Sequence, residues 1–370
     1  MSVSKPDEHA ARTLSSLFCR PGLSRAGLAD TLMIDRGMVT RVVQNLLDQG
    51  VLQEGLPVTG TGSGRRPVAL YLNDRDRCIL GLEVQREYIK VGWVTPYGDM
   101  LDTDVYHSAG AESGKNTHPL LARIIGVIDA EIERLSTRGY TATAIGIALT
   151  GLIDPHSGQV LFSPYLGVQD QPLNLQNPLE AAYNLPVSLD NDARCCCYDV
   201  MTYGALQHRQ NFLYIFGEFK DDAHSSRYTR VGVGTSLVLN GQVQYGTNGA
   251  AGEFRSIFSD PGKPGQFGND NIYCGIKTRR DLRTEFFREL FRHTGFLANY
   301  LDLEAVHLGG GIAEYREEAE PILQSAITEN WLYRDIFPKK VSIRFAQSDE
   351  KPALRGAAAL AARGIFLETR

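Results

Sequence analysis

The segment that most constrains the fold is an apolar run followed directly by polar side chains. Leu185-Pro186-Val187 precedes Leu189-Asp190-Asn191-Asp192-Ala193, so two carboxylates and an amide follow a predicted strand. In α/β proteins, strand ends open into the clefts that bind small ligands. Asp192 is therefore a candidate general base, a candidate acceptor that only holds a hydroxyl group, or a capping carboxylate for the following helix.

Composition indicates an ordinary globular protein with several domains. The 370 residues are 43% hydrophobic and 22% charged, which is enough chain for two or three domains with full cores. No run of eighteen apolar residues exists, and Met1–Ala11 lacks the apolar core of a signal peptide. We expect a cytoplasmic protein without a membrane segment, whose six cysteines are reduced thiols rather than metal ligands.

Charge is distributed unevenly along the chain. Residues 1–75 hold nine Lys and Arg against seven Asp and Glu, a net charge of +2, whereas the whole chain carries −5. The remainder therefore carries −7. A mildly basic head on an acidic body predicts that any polyanion binds at the head.

The head has the pattern of three helices followed by two strands. Ser24 and Asp35 are suitable N-caps for the second helix and for a third helix over 36–49. Val68–Leu72 is predicted to be a strand that returns from a tip at 58–64. This order is that of a winged helix-turn-helix domain, although a small helical domain for protein contacts is the alternative.

The predicted third helix and wing carry the candidate DNA contacts. Arg36, Thr40, Arg41 and Gln44 face outward on the helix, where such side chains can contact phosphates or base edges in a major groove. Arg65 and Arg66 in the wing suit a narrow minor groove. The sequence thus predicts double-stranded DNA as a partner.

The body alternates strands and helices, which predicts an α/β fold. The first half reads as strands at Cys78–Val84, Tyr88–Val94, Met100–Tyr106 and Ala144–Leu149, with a helix over 118–135. The second half reads as strands at Phe212–Phe216, Val231–Leu239 and Ala305–Leu308, helices at Thr284–Leu301 and around Leu354–Leu360, a loop at Gly217–Arg230, and a turn that presents Glu253.

Several motifs, taken together, carry a resemblance to a known family. They are Ser24–Ala29, Val39–Val43 and Gly64–Pro67 in the head, and Ile145–Gly151, Leu161–Gly167, Asn191–Ala193, Asn248–Glu253, Leu308–Gly311 and Arg355–Ala358 in the body. Nearly end to end, the chain resembles the repressor branch of the ROK family (repressors, open reading frames, kinases), which includes Mlc- and NagC-type regulators of sugar uptake.

The resemblance implies a fold and an organisation. We expect a winged helix-turn-helix domain over 1–75 and a two-lobed, actin-like, sugar-kinase-like body. The first lobe would span 76–192 with the C-terminal helix 352–370, and the second lobe would span 193–351. The resemblance also implies homodimers or tetramers with a sugar in the cleft.

Two departures from the family pattern affect the expected activity. Family kinases have an Asp-x-Gly-Gly-Thr-like phosphate loop after the first strand, whereas this chain has Glu83–Glu87 without glycine, so phosphoryl transfer should be lost. Ser256 stands at the position of the family's zinc-binding histidine, and Cys274 is the one thiol nearby. We therefore expect neither zinc nor another cofactor.

The predicted function is that of a DNA-binding transcriptional regulator of carbohydrate metabolism genes, a repressor rather than an enzyme, controlled by a sugar or sugar phosphate. The resemblance assigns the ligand to Asn191, Asp192 and Glu253, with Gly151 and Asn174 as weaker candidates, and adds Arg25 to the DNA contacts. The alternative interpretation of Glu253 is that its role is structural. The competing function is an ATP-dependent sugar kinase with Asp192 as general base; otherwise Asp192 is a vestigial base.

Overall fold

The computed structural model describes residues 8–57, 66–107, 118–204, 209–221, 229–263, 265–269, 272, 274–347 and 351–367. The chain has a mixed α/β fold and forms two compact units. Unit 1 takes in the described residues of Met1–Leu149, Pro155–Leu189 and Ala357–Arg370. Unit 2 takes in those of Thr150–Asp154 and Asp190–Gly356.

The N-terminal part of unit 1 has the helix and strand order expected for a winged helix-turn-helix domain. Its elements are α1 (Glu8–Cys19), α2 (Arg25–Leu32), α3 (Arg36–Asp48), β1 (Leu52–Pro57) and β2 (Val68–Leu72). The Ser24 hydroxyl accepts a hydrogen bond from the Gly27 N–H at 3.2 Å, and the Asp35 carboxylate accepts one from the Met38 N–H at 3.1 Å. Both predicted N-caps are confirmed, because each side chain satisfies a donor that the helix itself leaves unpaired.

A small apolar core holds these elements together. Leu17, Leu28, Val39, Val43 and Leu70 are fully buried. Each contributes about 1.5–3 kcal/mol of hydrophobic stabilisation. β1 and β2 pair antiparallel, and the tip between them, including Arg65, lies outside the described residues.

The body elements follow in chain order. They are β3 (Arg77–Val84), β4 (Tyr88–Val94), β5 (Met100–His107), α4 (Pro119–Thr137), β6 (Thr141–Leu149), β7 (Leu152–Asp154), β8 (Gln159–Phe162), β9 (Leu173–Asn174), α5 (Gln176–Tyr183), β10 (Val187–Asn191), α6 (Asp192–Thr202), β11 (Phe212–Asp221), β12 (Thr229–Leu239), β13 (Gln242–Val243), α7 (Arg280–Tyr300), β14 (Ala305–Gly310), α8 (Arg316–Glu329), β15 (Ser342–Phe345) and α9 (Pro352–Phe366).

Unit 1 contains a five-stranded sheet in the order β10-β6-β3-β4-β5. β3 pairs antiparallel with β4 and parallel with β6. The strands are buried along most of their length, as the apolar runs predict. Gly146 on β6 lacks a side chain because a Cβ there would overlap the carbonyl of Ala357 on α9.

Unit 2 contains a second five-stranded sheet in the order β13-β12-β11-β14-β15. β11 pairs antiparallel with β12 and parallel with β14, and β14 pairs parallel with β15. One face of the sheet packs on α7 and α8 in a core that includes Phe286, Phe287, Phe291, Leu323 and Ile327.

The predicted loop over Gly217–Arg230 is wrong at both ends. β11 continues to Asp221 and β12 begins at Thr229, while residues 222–228 lie outside the described residues. Phe219 is buried whereas Glu218 and Lys220 on either side of it are less so. This is the period-two pattern of a strand with one polar face, and those polar residues led to the loop interpretation.

Among the described residues, no helix is both long enough and apolar enough to cross a membrane.

Candidate functional site

The polar segment after the apolar run forms the junction between β10 and α6. The Asn191 side-chain oxygen accepts a hydrogen bond from the Ala193 N–H at 2.9 Å, so Asn191 is the N-cap and the helix begins at Asp192 rather than Ala193. The Asn191 amide also donates to the Gly151 carbonyl at 3.1 Å. Gly151 has a φ of +124°, which glycine adopts readily, so Asn191 bonds to a turn whose backbone conformation favours glycine.

Asp192 is buried, with 8% of its surface exposed. One carboxylate oxygen accepts a hydrogen bond from the Ala193 N–H at 2.8 Å, and the other accepts one from the Thr150 hydroxyl at 3.0 Å. Part of its role is thus to stabilise the first turn of α6. Each carboxylate oxygen has two lone pairs, so the group retains the chemistry to accept a ligand hydroxyl as well.

Arg194 is the central residue of this junction, and sequence reasoning missed it. It is 2% exposed, and its Nε lies 2.6 Å from the Asp190 carboxylate. Its two other nitrogens donate to the carbonyls of Gly249 at 3.1 Å and Ile153 at 2.9 Å. One guanidinium therefore holds three separate segments of unit 2. Because Asp190 lies on β10 and Arg194 on α6, the helical i,i+4 rule does not apply, and no local signal identified the pair.

The charges of this pair are set by their surroundings. Burial alone would lower the pKa of Arg194, but the Asp190 carboxylate keeps it above its ordinary value. Burial raises the pKa of Asp190, although Arg194, the Asn191 N–H and the Tyr245 hydroxyl favour its charged form. A buried ion pair with this many hydrogen bonds is costly to break from one side.

Two tyrosines extend the network. The Tyr245 hydroxyl donates to Asp190 at 3.0 Å and lies 2.7 Å from the Tyr198 hydroxyl. Burial and the charge of Asp190 raise the pKa of Tyr245 far above its ordinary value. Tyr245 is therefore a fixed donor, which orients Asp190.

Glu253 lies on a turn beside the same junction. It forms an isolated β-bridge with Gly234, and a Cβ on Gly234 would crowd the side chain of Ala193, so the turn packs near the start of α6. Gly252 has a φ of +96°, and its carbonyl accepts a hydrogen bond from the Thr235 hydroxyl at 2.8 Å. The Glu253 residue is exposed, yet partial desolvation of its carboxyl raises its pKa, and the charge of Arg194 opposes that rise.

Unit 2 thus brings together Gly151, Asn191 and Asp192 and holds the Glu253 turn near them. Asn174, the remaining candidate, belongs to unit 1. Its side-chain oxygen accepts a hydrogen bond from the Asn177 N–H at 3.0 Å, and its amide donates to the Ser157 carbonyl at 3.3 Å. These bonds stabilise the start of α5.

The candidate DNA contacts on α3 are exposed to solvent. Arg36, Thr40, Arg41 and Gln44 all lie on its outer face. Arg25 forms an ion pair with Glu54 on β1 at 2.8 Å, which connects α2 to the wing. Arg66 is exposed, whereas Arg65 lies outside the described residues.

The hairpin between β3 and β4 occupies the position of the family's phosphate loop. Glu83 accepts hydrogen bonds from the Tyr88 hydroxyl at 3.1 Å and from Lys90 at 3.4 Å. The Arg123 guanidinium donates to the carbonyls of Gln85 and Arg86. This hairpin presents a buried carboxylate and bonded carbonyls, and its Gln85 N–H donates to the Tyr88 carbonyl at 2.9 Å, whereas a phosphate requires free backbone N–H groups.

Ser256, at the expected zinc-ligand position, makes a different contact. Its hydroxyl lies 3.1 Å from Nε2 of His293 on α7 and accepts a hydrogen bond from the Phe258 N–H at 3.1 Å. Burial lowers the pKa of His293. Within the described part of the chain, no group of three or more His, Cys, Asp or Glu side chains is arranged to hold a metal ion.

Comparisons with known proteins agree with this architecture. The xylose repressor of Bacillus spizizenii is 26% identical over 333 residues, covering 86% of this chain and 82% of that protein. The crystal structure of a ROK family transcriptional regulator, a homologue of the E. coli MLC protein, has a TM-score of 0.75 at 20% identity and covers 96% of both chains.

A kinase structure shares the fold of the body. The glucokinase of Streptomyces griseus, solved with glucose and AMPPNP, has a TM-score of 0.56 at 21% identity and covers 78% of this chain and all of that one. These likenesses assign the body to the two-lobed, actin-like fold. The ROK family model matches residues 79–278, more than half of the 370 residues, and the chain therefore belongs to the ROK family.

Proposed function

We propose that the protein is a DNA-binding transcriptional regulator, a repressor of carbohydrate metabolism genes, whose body responds to a sugar or sugar phosphate. The observation that carries this proposal is the outer face of α3, where Arg36, Thr40, Arg41 and Gln44 are exposed on a capped helix. A helix with these side chains fits a major groove and reads base edges through hydrogen bonds. The repressor similarity over most of the chain supports the same function.

The effector contacts are assigned to the junction in unit 2. Asn191, Asp192 and Glu253 supply acceptors for neighbouring hydroxyl groups, and Gly151 is held close to Asn191. Asn174, in unit 1, stays a separate and weaker candidate, since its amide already donates to the Ser157 carbonyl. Asp192 acts here as a hydroxyl acceptor fixed by Thr150 rather than as a catalytic base.

The hairpin at Gln85–Glu87 disfavours the kinase alternative. Phosphoryl transfer depends on donors and charges positioned around the phosphates. Here the hairpin has no glycine and its carbonyls bind Arg123. If the body only senses a sugar and does not phosphorylate it, the absence of a phosphate loop from this hairpin is explained.

The mechanism follows from linkage between ligand and DNA. A ligand changes DNA affinity only if it binds the DNA-competent and DNA-free arrangements with different affinity. A palindromic operator requires two copies with recognition helices about 34 Å apart, so the regulator would act as a homodimer or as a tetramer built from such dimers.

The test begins with selection of bound duplexes from a random-sequence DNA library at about 150 mM salt, because much protein–DNA affinity is salt-dependent. The enriched duplex is then titrated with the protein in the presence of pentoses, hexoses, amino sugars and their phosphates. We expect a specific duplex, and one class of sugar that shifts its affinity in wild-type protein but not in Asp192→Asn. Enrichment of no sequence, or measurable ATP-dependent phosphorylation of a sugar, would contradict the proposal.

A further inference from the structure

A second polar cavity lies in unit 2, at the other end of α6. It has a volume of about 240 Å³, and its lining includes Asp199, His307, Arg316, Arg344, Phe345 and Arg355. Asp199 is seven residues after Asp192, which corresponds to about 10 Å along the helix. The cavity is thus separate from the Asn191–Asp192 junction, although the same helix contributes to both.

His307 forms the polar floor of this cavity. It lies on β14 between Tyr214 of β11 and Arg344 of β15, and its ring stacks on Tyr214 with centroids 5.0 Å apart. It is only 5% exposed, and neither ring nitrogen has a hydrogen-bond partner within the described chain. A buried polar atom without a partner is unfavourable, so a ligand that forms a hydrogen bond with this ring would gain free energy.

The cavity carries a positive charge in an otherwise acidic protein. Arg316, Arg344 and Arg355 face it with a single carboxylate, that of Asp199, in the lining. Asp199 pairs with Arg355 at 2.5 and 2.9 Å, and Arg316 pairs with Glu320, which is not part of the lining, at 3.1 Å. Arg344 has no ion-pair partner among the residues that the structure describes and is exposed at the mouth.

The imidazole can complement these charges as a neutral donor. Burial and the nearby charge of Arg344 lower the pKa of His307 to about 4, so at neutral pH one ring nitrogen carries a hydrogen and the other accepts. One neutral N–H and several guanidinium groups form a donor set that matches a tetrahedral oxyanion. Arginine forks bind phosphate with particular geometric selectivity.

We propose that this cavity binds a small phosphate-class anion, with Arg344 and Arg316 contacting the phosphate oxygens and His307 donating from the floor. The anion is either free inorganic phosphate or the phosphate group of a sugar ester, which share this chemistry. The proposal does not depend on DNA binding or on the sugar contacts of Asp192.

The test is isothermal titration of the full-length protein with inorganic phosphate, glucose 6-phosphate and, as the uncharged control, glucose. Arg344→Gln removes a guanidinium that is exposed at the mouth of the cavity, where substitutions usually change stability little. Arg334→Gln is the matched control, because Arg334 is also exposed in unit 2 but does not line the cavity.

We expect phosphate to bind, Arg344→Gln to weaken binding roughly tenfold or more, and Arg334→Gln to leave it unchanged. Equal affinity for phosphate and glucose 6-phosphate identifies the free anion as the ligand, and tighter binding of the ester identifies the sugar phosphate. The proposal is overturned if neither inorganic phosphate nor glucose 6-phosphate gives measurable binding at about 10 mM, a concentration that would detect even a dissociation constant of about 1 mM. It is also overturned if Arg344→Gln and Arg334→Gln bind phosphate with the same affinity.

Discussion

At the residue scale, Arg194 determines how the β10–α6 junction is built. Its guanidinium satisfies Asp190 and two carbonyls from separate segments, and it does so with almost no exposure to solvent. Removing it would leave the buried Asp190 carboxylate without its cation, and the buried Ile153 carbonyl and the partly buried Gly249 carbonyl without this donor. Such a loss is more expensive than the loss of any surface ion pair.

Arg194→Met should destabilise the protein by about 3–5 kcal/mol, because Asp190 remains buried without its partner. Arg334→Met, at an exposed arginine, should change stability by less than about 0.5 kcal/mol. Urea denaturation followed by circular dichroism measures both. A double variant Asp190→Leu/Arg194→Met should recover part of the loss. If Arg194→Met and Arg334→Met changed stability equally, the structural role of Arg194 would be contradicted.

His307 gives stability a pH dependence of known sign. Its pKa is about 4 in the folded protein and 6.5 for an ordinary histidine, so between these values the unfolded chain binds a proton that the folded protein does not. The contribution of the neutral His307 ring to the free energy of unfolding is therefore fully present above pH 6.5. It is lost progressively as the pH decreases toward 4. The groups facing the ring are Tyr214, Arg344, Arg316 with Glu320, and the Asp199–Arg355 pair.

The His307→Gln variant should lack this component. Between pH 7.5 and pH 5 the wild-type protein should lose about 2 kcal/mol more unfolding free energy than the variant, since one pKa unit corresponds to 1.36 kcal/mol. Urea titrations at the two pH values provide the comparison, because the other titrating groups contribute equally to both proteins. Parallel losses in the two proteins would show that folding does not lower the pKa of His307.

At the element scale, glycine determines how closely helices approach their neighbours. Gly356 on α9 lies against α6, where a Cβ would overlap the carbonyl of Cys195. Gly126 on α4 is also a helical glycine, but it is exposed and has open space around its Cα. The same substitution therefore tests two opposite physical effects.

Gly356→Ala should destabilise the protein by about 1–3 kcal/mol or more, because backbone must move away from the added methyl group. Gly126→Ala should stabilise it by about 0.5–1 kcal/mol, since alanine loses less conformational entropy in a helix. Thermal unfolding of the two variants beside the wild-type protein resolves the signs. If both substitutions destabilised the protein, the space around Gly126 would have to be smaller than the structure shows.

At the scale of the whole molecule, the proposed DNA contacts and the Asn191–Asp192 junction belong to different compact units. The α3 face carries Arg41, and unit 2 carries Asp192. A regulator requires both, but each can be impaired separately. A substitution that impairs one property and leaves the other unchanged has therefore removed a contact and has not unfolded the protein.

Arg41→Ala should weaken binding to the selected duplex by about 1–3 kcal/mol while the effector still raises the melting temperature as in wild-type protein. Fluorescence anisotropy and thermal shift measure the two properties on one preparation. Arg75→Ala, in the same basic segment but outside α3, is the control and should bind the duplex normally. Equal weakening by both substitutions would indicate a general charge effect instead of a contact on the recognition helix.

The sequence by itself determined the order of elements in the head and much of the body. Caps such as Ser24 and Asp35, the period of apolar residues and the strand–polar–helix pattern at Asp190–Asp192 are local signals, so they can be read without knowing the fold. The motifs that carry the family resemblance are also short runs of consecutive residues, so they too can be recognised without knowing the fold. Helices α5 and α8 were missed because their apolar residues are few, and α8 contains Pro321.

Tertiary structure alone decided which distant residues meet. Nothing local in the sequence predicts that Arg194 reaches Ile153 and Gly249, that Thr150 holds Asp192, or that His307 faces Arg344 and Arg355 in one cavity. These contacts join segments tens of residues apart, and their energies depend on burial, which exists only after the sheets and helices have packed. Sequence therefore predicted the elements and the family, and packing determined the environment in which each polar group acts.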